Sequence, residues 1–283
     1  MRKIKVSLKS RSTFEGAGVR LKRAFGYADE SLDPFLLLDD FHSDDPQDYI
    51  KGFPWHPHRG IETITYILHG KIEHGDSLGN GGVIKAGDVQ WMTAGSGIIH
   101  QEMPKSDNTN TLLWGFQLWA NLPASQKMMD PRYRDVKKTE IPEISLNDSK
   151  VKIKIISGEV NGVKGPVQDI ITDPEYLDVT IESNSEFIHQ IKDGYNVLAY
   201  TIEGKGYFDD NKKELIEKET LIIYQEGDVV KISTENESVR FLLISGKPLK
   251  EPVAWRGPIV MNTEEELRLA FKEYHNGTFI KHK

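Results

Sequence analysis

Short runs of β-branched and aromatic residues, each closed by a Gly, Asn or Asp cluster, recur along this chain and point to an antiparallel β fold. The runs Ile61–Leu68, Asp88–Thr93, Leu112–Trp119, Val151–Ser157, Val197–Ile202, Glu219–Tyr224 and Val239–Ile244 have strand length. Turn-forming clusters lie at Asp76–Gly82, Asp209–Asn211 and Glu226–Asp228. Gly, Asn and Asp accept the tight backbone of a hairpin, so each cluster reverses the chain. Such a pattern predicts sandwiches or jelly-roll-like barrels. Thr65–Gly75 (TYILHGKIEHG) and Ala199–Asp209 (AYTIEGKGYFD) echo each other as apolar run, Gly-Lys, then alternation. That internal repeat predicts two tandem antiparallel β-barrels.

The expected division is an N-terminal barrel over 1–122, a connection over 123–148, a C-terminal barrel over 149–250 and an extension over 251–283. The connection is rich in Pro, Lys, Asp and Glu. One helix is expected, over 263–275. Thr263 is placed to cap it, with Glu266 three residues on completing a capping box. Leu267, Ala270, Phe271 and Tyr274 form an apolar stripe at helical spacing, and Gly277 is a stop. The stripe is expected to dock on the outside of one barrel.

Two pairs carry the chemistry: His56-Pro57-His58 and His100-Gln101-Glu102. On a strand, i and i+2 point to one face, so three imidazoles and a carboxylate can converge inside a sheet. Such donors suit a first-row transition metal with positions left open. Pro57 has no N–H for a ladder, which predicts an edge or irregular strand, and Arg59-Gly60 predicts a bend after it. Gly95-Ser96-Gly97 predicts a tight turn before the second pair. Were extended geometry to continue through the bend, Glu62 would share a face with His56 and His58. Spacing alone leaves Glu62 and Glu102 both open as the carboxylate ligand.

Composition narrows the function classes. With 283 residues the chain is long enough for one large or two ordinary domains. Thirty-six basic against 43 acidic residues give a net charge of −7, which argues against broad affinity for nucleic acid or anionic membranes. There is no cysteine, so disulfides and thiolate metal sites are excluded. The N-terminus MRKIKVSLKS lacks the apolar core of a signal peptide, and no apolar run is long enough to span a bilayer. A soluble cytoplasmic protein is the expectation.

Gly52 through Glu62, with Gly70 closing the segment, resembles the first motif of the cupin superfamily. Gly87 through His100 resembles the second, with Thr93 where Pro is usual. The match is closer to one cupin family, the pirins. It runs through LDPFLLLDDF (Leu32–Phe41), FPWHPHRGIETITYILHG (Phe53–Gly70), GDVQWMTAGSGIIHQEMP (Gly87–Pro104) and QLWANL (Gln117–Leu122), then Glu251–Val253 and Gly257–Thr263. It is loose from about 123 to 245.

The resemblance implies a mainly β bicupin, with one metal in the N-terminal barrel held by His56, His58, His100 and Glu102. It implies Fe(II), with Mn, Ni, Cu or Zn as alternatives. Placing Gly204 on Gly70 sets Gln190 and Lys192 near the His-x-His positions, and Lys231 or Ile232 near His100. His189 is the one histidine within 149–250, so a metal-free C-terminal barrel is expected. The implied activity is that of a quercetin 2,3-dioxygenase: dioxygen cleaves a small aromatic flavonol whose hydroxyl proton passes to Glu102, the catalytic base. Trp91 and Trp119 are the expected substrate contacts. Glu62 is expected in the pocket or supporting a ligand, and Arg59 as a guide for an anionic substrate. The other implied role is a non-catalytic, iron-containing regulator that binds a transcription factor or metabolic enzyme in a redox-dependent way. A zinc cupin acting as a sugar-phosphate isomerase carries less weight, because only Arg59 and Lys105 are basic beside the motifs.

Overall fold

A computed structural model describes residues 1–106 and 111–282. It is mainly β, with a C-terminal α-helix, and its contacts group into two units. Among the described residues, no helix is long and apolar enough to cross a membrane.

One unit comprises Ser12–Ala28, Phe35–Lys138 and Leu249–Lys283. Its larger sheet runs Arg132–Val136, Val89–Thr93, Ile61–His69, Leu113–Asn121, Phe35–Ser43, Val19–Gly26, Arg11–Glu15. Its smaller sheet runs Phe53–His58, Ile98–Pro104, Lys71–Asp76, Gly81–Lys85. Both are antiparallel and follow open paths, where closed barrels were expected. Val19, Leu21, Phe41, Ile67 and Leu113 of the larger sheet pack on Ile72 and Ile84 of the smaller. Burying each such side chain contributes about 1.5–3 kcal/mol. The strand Ile61–His69 is buried on both faces up to Leu68, which is why ITYIL lacks polar alternation.

The other unit comprises Met1–Arg11, Asp29–Pro34 and Thr139–Pro248. Its interior is filled by Phe187, Phe208, Phe241, Val230 and Ile232. His189 stacks on Phe187 and bonds Glu175 at 2.9 Å. The first strand, Ile4–Lys9, pairs with Thr220–Tyr224 in this unit. Linear division gave residues 1–11 to the N-terminal barrel, since spacing along a chain cannot show so remote a partner. The stretch 123–148 is more than a connection. Arg132–Val136 adds an edge strand to the Val89–Thr93 side of one sheet, and Glu143–Leu146 pairs with Val151–Ser157 in the other. Edge strands tolerate charge, so a charged composition concealed both.

The helix spans Glu264–His275, with the Thr263 and Glu266 capping box formed in both directions. Leu267 and Ala270 bury against Ala254, Ile259, Met261 and Phe279. The helix therefore rests on the hairpin formed by Ala254–Arg256 and Ile259–Met261.

Candidate metal centre

The two ligand strands are neighbours. Phe53–His58, carrying two prolines, is the edge of the smaller sheet, and its missing N–H groups weaken no central ladder. It pairs with Ile98–Pro104, so that His100 stands opposite His56 and Ile98 opposite His58. Cross-strand neighbours lie close enough for their side chains to meet. One nitrogen from each of His56, His58 and His100 lies within 4.8 Å of the other two.

Hydrogen bonding orients two of these rings. Nδ1 of His56 lies 2.8 Å from the Pro54 carbonyl, and Nδ1 of His58 lies 3.0 Å from the Pro258 carbonyl. A carbonyl only accepts, so both Nδ1 atoms carry the proton and both Nε2 atoms present lone pairs. Those two Nε2 atoms face each other at 3.0 Å. His100 is fully buried, and neither of its nitrogens has a hydrogen-bond partner among the described residues. Burial lowers the pKa of all three, well below the ordinary value for His58 and His100, so each is neutral at pH 7. Opposed lone pairs beside an orphaned buried imidazole are unfavourable alone, and a cation at their common point satisfies all three. The donor set fits a divalent transition metal, and the Nδ1–H···O=C bonds are of the kind that orients metal-bound histidines.

Glu102 lies two residues beyond His100, past a register shift in the strand pairing. Its oxygens sit 2.8 Å from Thr65 Oγ1 and 3.2 Å from Gln117 Nε2. Thr65 Oγ1 is also 2.7 Å from Gln117 Oε1. Thr65 Oγ1 and Gln117 Nε2 both donate to the Glu102 carboxylate, and the Thr65 hydroxyl is shared with Gln117 Oε1. Burial pushes its pKa up to about 7, against the opposing pull of Thr65 and Gln117.

His56, His58 and Glu102 line a cavity of about 1020 Å³. Trp55, Trp119 and Trp255 stand in its wall. The Trp119 ring lies 5.1 Å from that of His58 and 6.0 Å from that of Trp255. Its indole N–H is buried without a partner among the described residues. A polar row crosses the inner face of the larger sheet: Arg23, Asp39, Gln117, Thr65 and Gln90 stand opposite one another on successive strands. Arg23 and Asp39 join through two bonds of 2.8 Å. Burial pushes the Asp39 pKa up to about 6, while Arg23 opposes the rise.

Comparison with known proteins places the chain. The Pirin family matches residues 18–120, and the Pirin C-terminal cupin domain matches residues 176–280. A pirin-like protein of Caulobacter vibrioides is 40% identical over 274 residues, 96% of this chain and 97% of that protein. The chain belongs to the pirin family. The pirin fold extends over its full length: the crystal structure of a quercetin 2,3-dioxygenase from Acinetobacter baumannii covers 99% of this chain and 98% of its own, with 32% identity and a TM-score of 0.91. A bacterial pirin of Escherichia coli, solved in complex with nickel(II), shares the fold at 21% identity, with a TM-score of 0.64 and coverage of 86% of this chain and 98% of its own. Two cupin domains are thus present.

In this pirin-family chain the expected pocket residues separate. Trp119 lines the cavity; Glu62, Trp91 and Arg59 do not. Glu62 stands opposite Thr93 on the strand face away from Thr65, where Trp91 Nε1 and Thr93 Oγ1 donate to its carboxylate. The bend at Arg59-Gly60 passes the chain from the smaller sheet to the larger, so the even-numbered phase of His56 and His58 does not reach Glu62. Arg59 is buried against the C-terminal segment, bonded to Ser96, Glu273 and Phe279. Sequence reading missed Thr65, Gln117, the Arg23–Asp39 pair and the Trp255 wall. For Thr65 and Gln117 a signal existed: each is a polar residue flanked by apolar ones, Ile64 and Tyr66 or Phe116 and Leu118. Buried polar residues are the informative exceptions.

Proposed function

We propose that this chain is a metal-dependent dioxygenase that cleaves quercetin-like flavonols with dioxygen. The observation that carries the reading is the fully buried, unpaired His100 imidazole, converging with two neutral imidazoles beside an aromatic-walled cavity. His56, His58 and His100 would hold the metal, with Glu102 joining them on turning from Thr65. Fe(II) is the favoured ion. When bound, a divalent metal acidifies a neighbouring hydroxyl and supplies redox chemistry toward dioxygen.

The remaining steps belong to the protein. Trp119 and Trp255 offer apolar faces to a flat flavonol, and the unpaired Trp119 N–H offers it a donor. Glu102, with a pKa of about 7, accepts the flavonol hydroxyl proton on a carboxylate oxygen. Thr65 and Gln117, which donate to its two oxygens, hold the carboxylate in place for that transfer.

The test is anaerobic reconstitution with Fe(II), followed by oxygen uptake on adding quercetin. Uptake in wild type, lost in a folded His56→Ala variant, is the expected result. Absence of uptake with Fe(II), Mn(II), Ni(II) and Cu(II) would overturn the enzymatic reading.

A further inference from the structure

Residues 249–282 follow the second unit in sequence, and most fall within the match to the C-terminal cupin domain. By contact they belong to the unit that holds the three histidines. The connection is specific. His56 takes its Nδ1 acceptor from Pro54 of its own strand, whereas His58 takes its acceptor from Pro258, 200 residues away. The orientation of one imidazole therefore depends on where the C-terminal hairpin sits.

That hairpin is gripped beside the ligand. The Val260 N–H donates to the Arg59 carbonyl at 3.1 Å, and Arg59 bridges Ile259 in parallel. Gly60, at φ +78°, leaves no room for a side chain: a Cβ there would lie 1.9 Å from the Val260 carbonyl oxygen. The buried Lys127 ammonium ties the same two turns, donating to Gly60 O at 2.9 Å and Val260 O at 3.1 Å. Arg59 adds a clasp one residue from the ligand. Its guanidinium donates to Ser96 O at 2.7 Å, Glu273 Oε2 at 2.7 Å and Phe279 O at 2.9 Å, and lies 4.2 Å from the centre of the Phe279 ring. Phe279 in turn sits against Gly97, where an added Cβ would come within 2.9 Å of the ring. Helix, tail and hairpin thus converge on the peptide that carries His58.

We propose that the C-terminal segment is the positioning element of the metal centre, fixing the tautomer and ring orientation of His58 through Pro258, with Glu273 and Phe279 as its anchors on Arg59. These are positioning residues, since neither bonds a ligand nitrogen. The inference rests on the metal-binding part of the proposed function.

The experiment uses full-length Glu273→Ala, Glu273→Gln and Phe279→Ala, with Arg268→Ala on the exposed helix face as control. Ni(II) affinity is measured by competition with a chromophoric chelator. The His58 tautomer is followed by imidazole ¹⁵N–¹H correlation in metal-free protein, and thermal midpoints are recorded alongside. Glu273→Ala and Phe279→Ala should weaken Ni(II) binding by roughly 10- to 100-fold, the usual effect of removing a group that orients a ligand. They should also mix the His58 tautomers. Glu273→Gln keeps size and an acceptor, and should recover most of the affinity; Arg268→Ala should match wild type. A lower thermal midpoint with unchanged affinity and tautomer would overturn the positioning role alone. Wild-type protein that binds no Ni(II) would overturn the metal reading with it.

Discussion

Glu102 and His100 sit two residues apart on one strand, and burial acts on them in opposite directions. Folding raises the Glu102 pKa from 4.5 to about 7, so the folded state holds this proton more tightly. The stabilisation is full below pH 4.5 and gone above about 7. The Glu102 contribution to metal-free stability should therefore fall as pH rises through that window, by up to about 3 kcal/mol, read as the difference between wild type and Glu102→Gln so that the opposite contributions of His58 and His100 cancel. Urea unfolding of both proteins at pH 5 and pH 8, in chelator, measures it. Ni(II) affinity should rise with pH toward 7 and then level off, because the same proton competes with the metal. His100 carries two buried nitrogens without partners. Replacing such groups by carbon removes a desolvation penalty of about 1–3 kcal/mol. His100→Phe should thus stabilise the metal-free protein while abolishing Ni(II) binding; a destabilised variant would show that the imidazole is satisfied without metal. Both His pairs were legible as residues. The partners of Glu102 were not, because Thr65 and Gln117 are adjacent only across a strand pairing.

At the scale of elements, the sequence told most where chemistry forbids alternatives. Pro57 predicted an edge or irregular strand, and Phe53–His58 is an edge strand. The Thr263 and Glu266 capping box marked the start of the helix, with Thr263 as its cap and Glu264 its first residue. The runs from Ile61, Val151 and Val239 begin where the strands begin. Elements defined by their partners were hidden. Arg132–Val136 is too charged to read as a strand until it lies beside Val89–Thr93. The hairpin carrying Trp255 reads as extension, yet it walls the cavity. Trp255→Leu should raise KM for quercetin roughly tenfold, the worth of an aromatic contact, with kcat and Ni(II) affinity near wild type. Steady-state oxygen uptake beside chelator competition separates the two effects.

For the whole molecule, metal binding should stabilise the folded state by about 2.7 kcal/mol at a free metal concentration one hundred times Kd. The grouping of contacts says where. Hydrogen exchange should slow on Ni(II) addition in 53–58, 98–104 and 254–282, and stay unchanged across 139–248. Slowing confined to the first two segments would detach the C-terminal hairpin from the site. The sequence by itself determined the β class, the helix and the histidines at hand for a metal, because strand period, capping and ligand type are local properties of residues. Tertiary structure decided that Glu102 and not Glu62 lines the cavity with His56 and His58, which aromatic rings face that cavity and which distant carbonyl holds His58. Those depend on strand register, on the bend at Gly60 and on a chain end brought back to the site, and none of these has a period along the sequence.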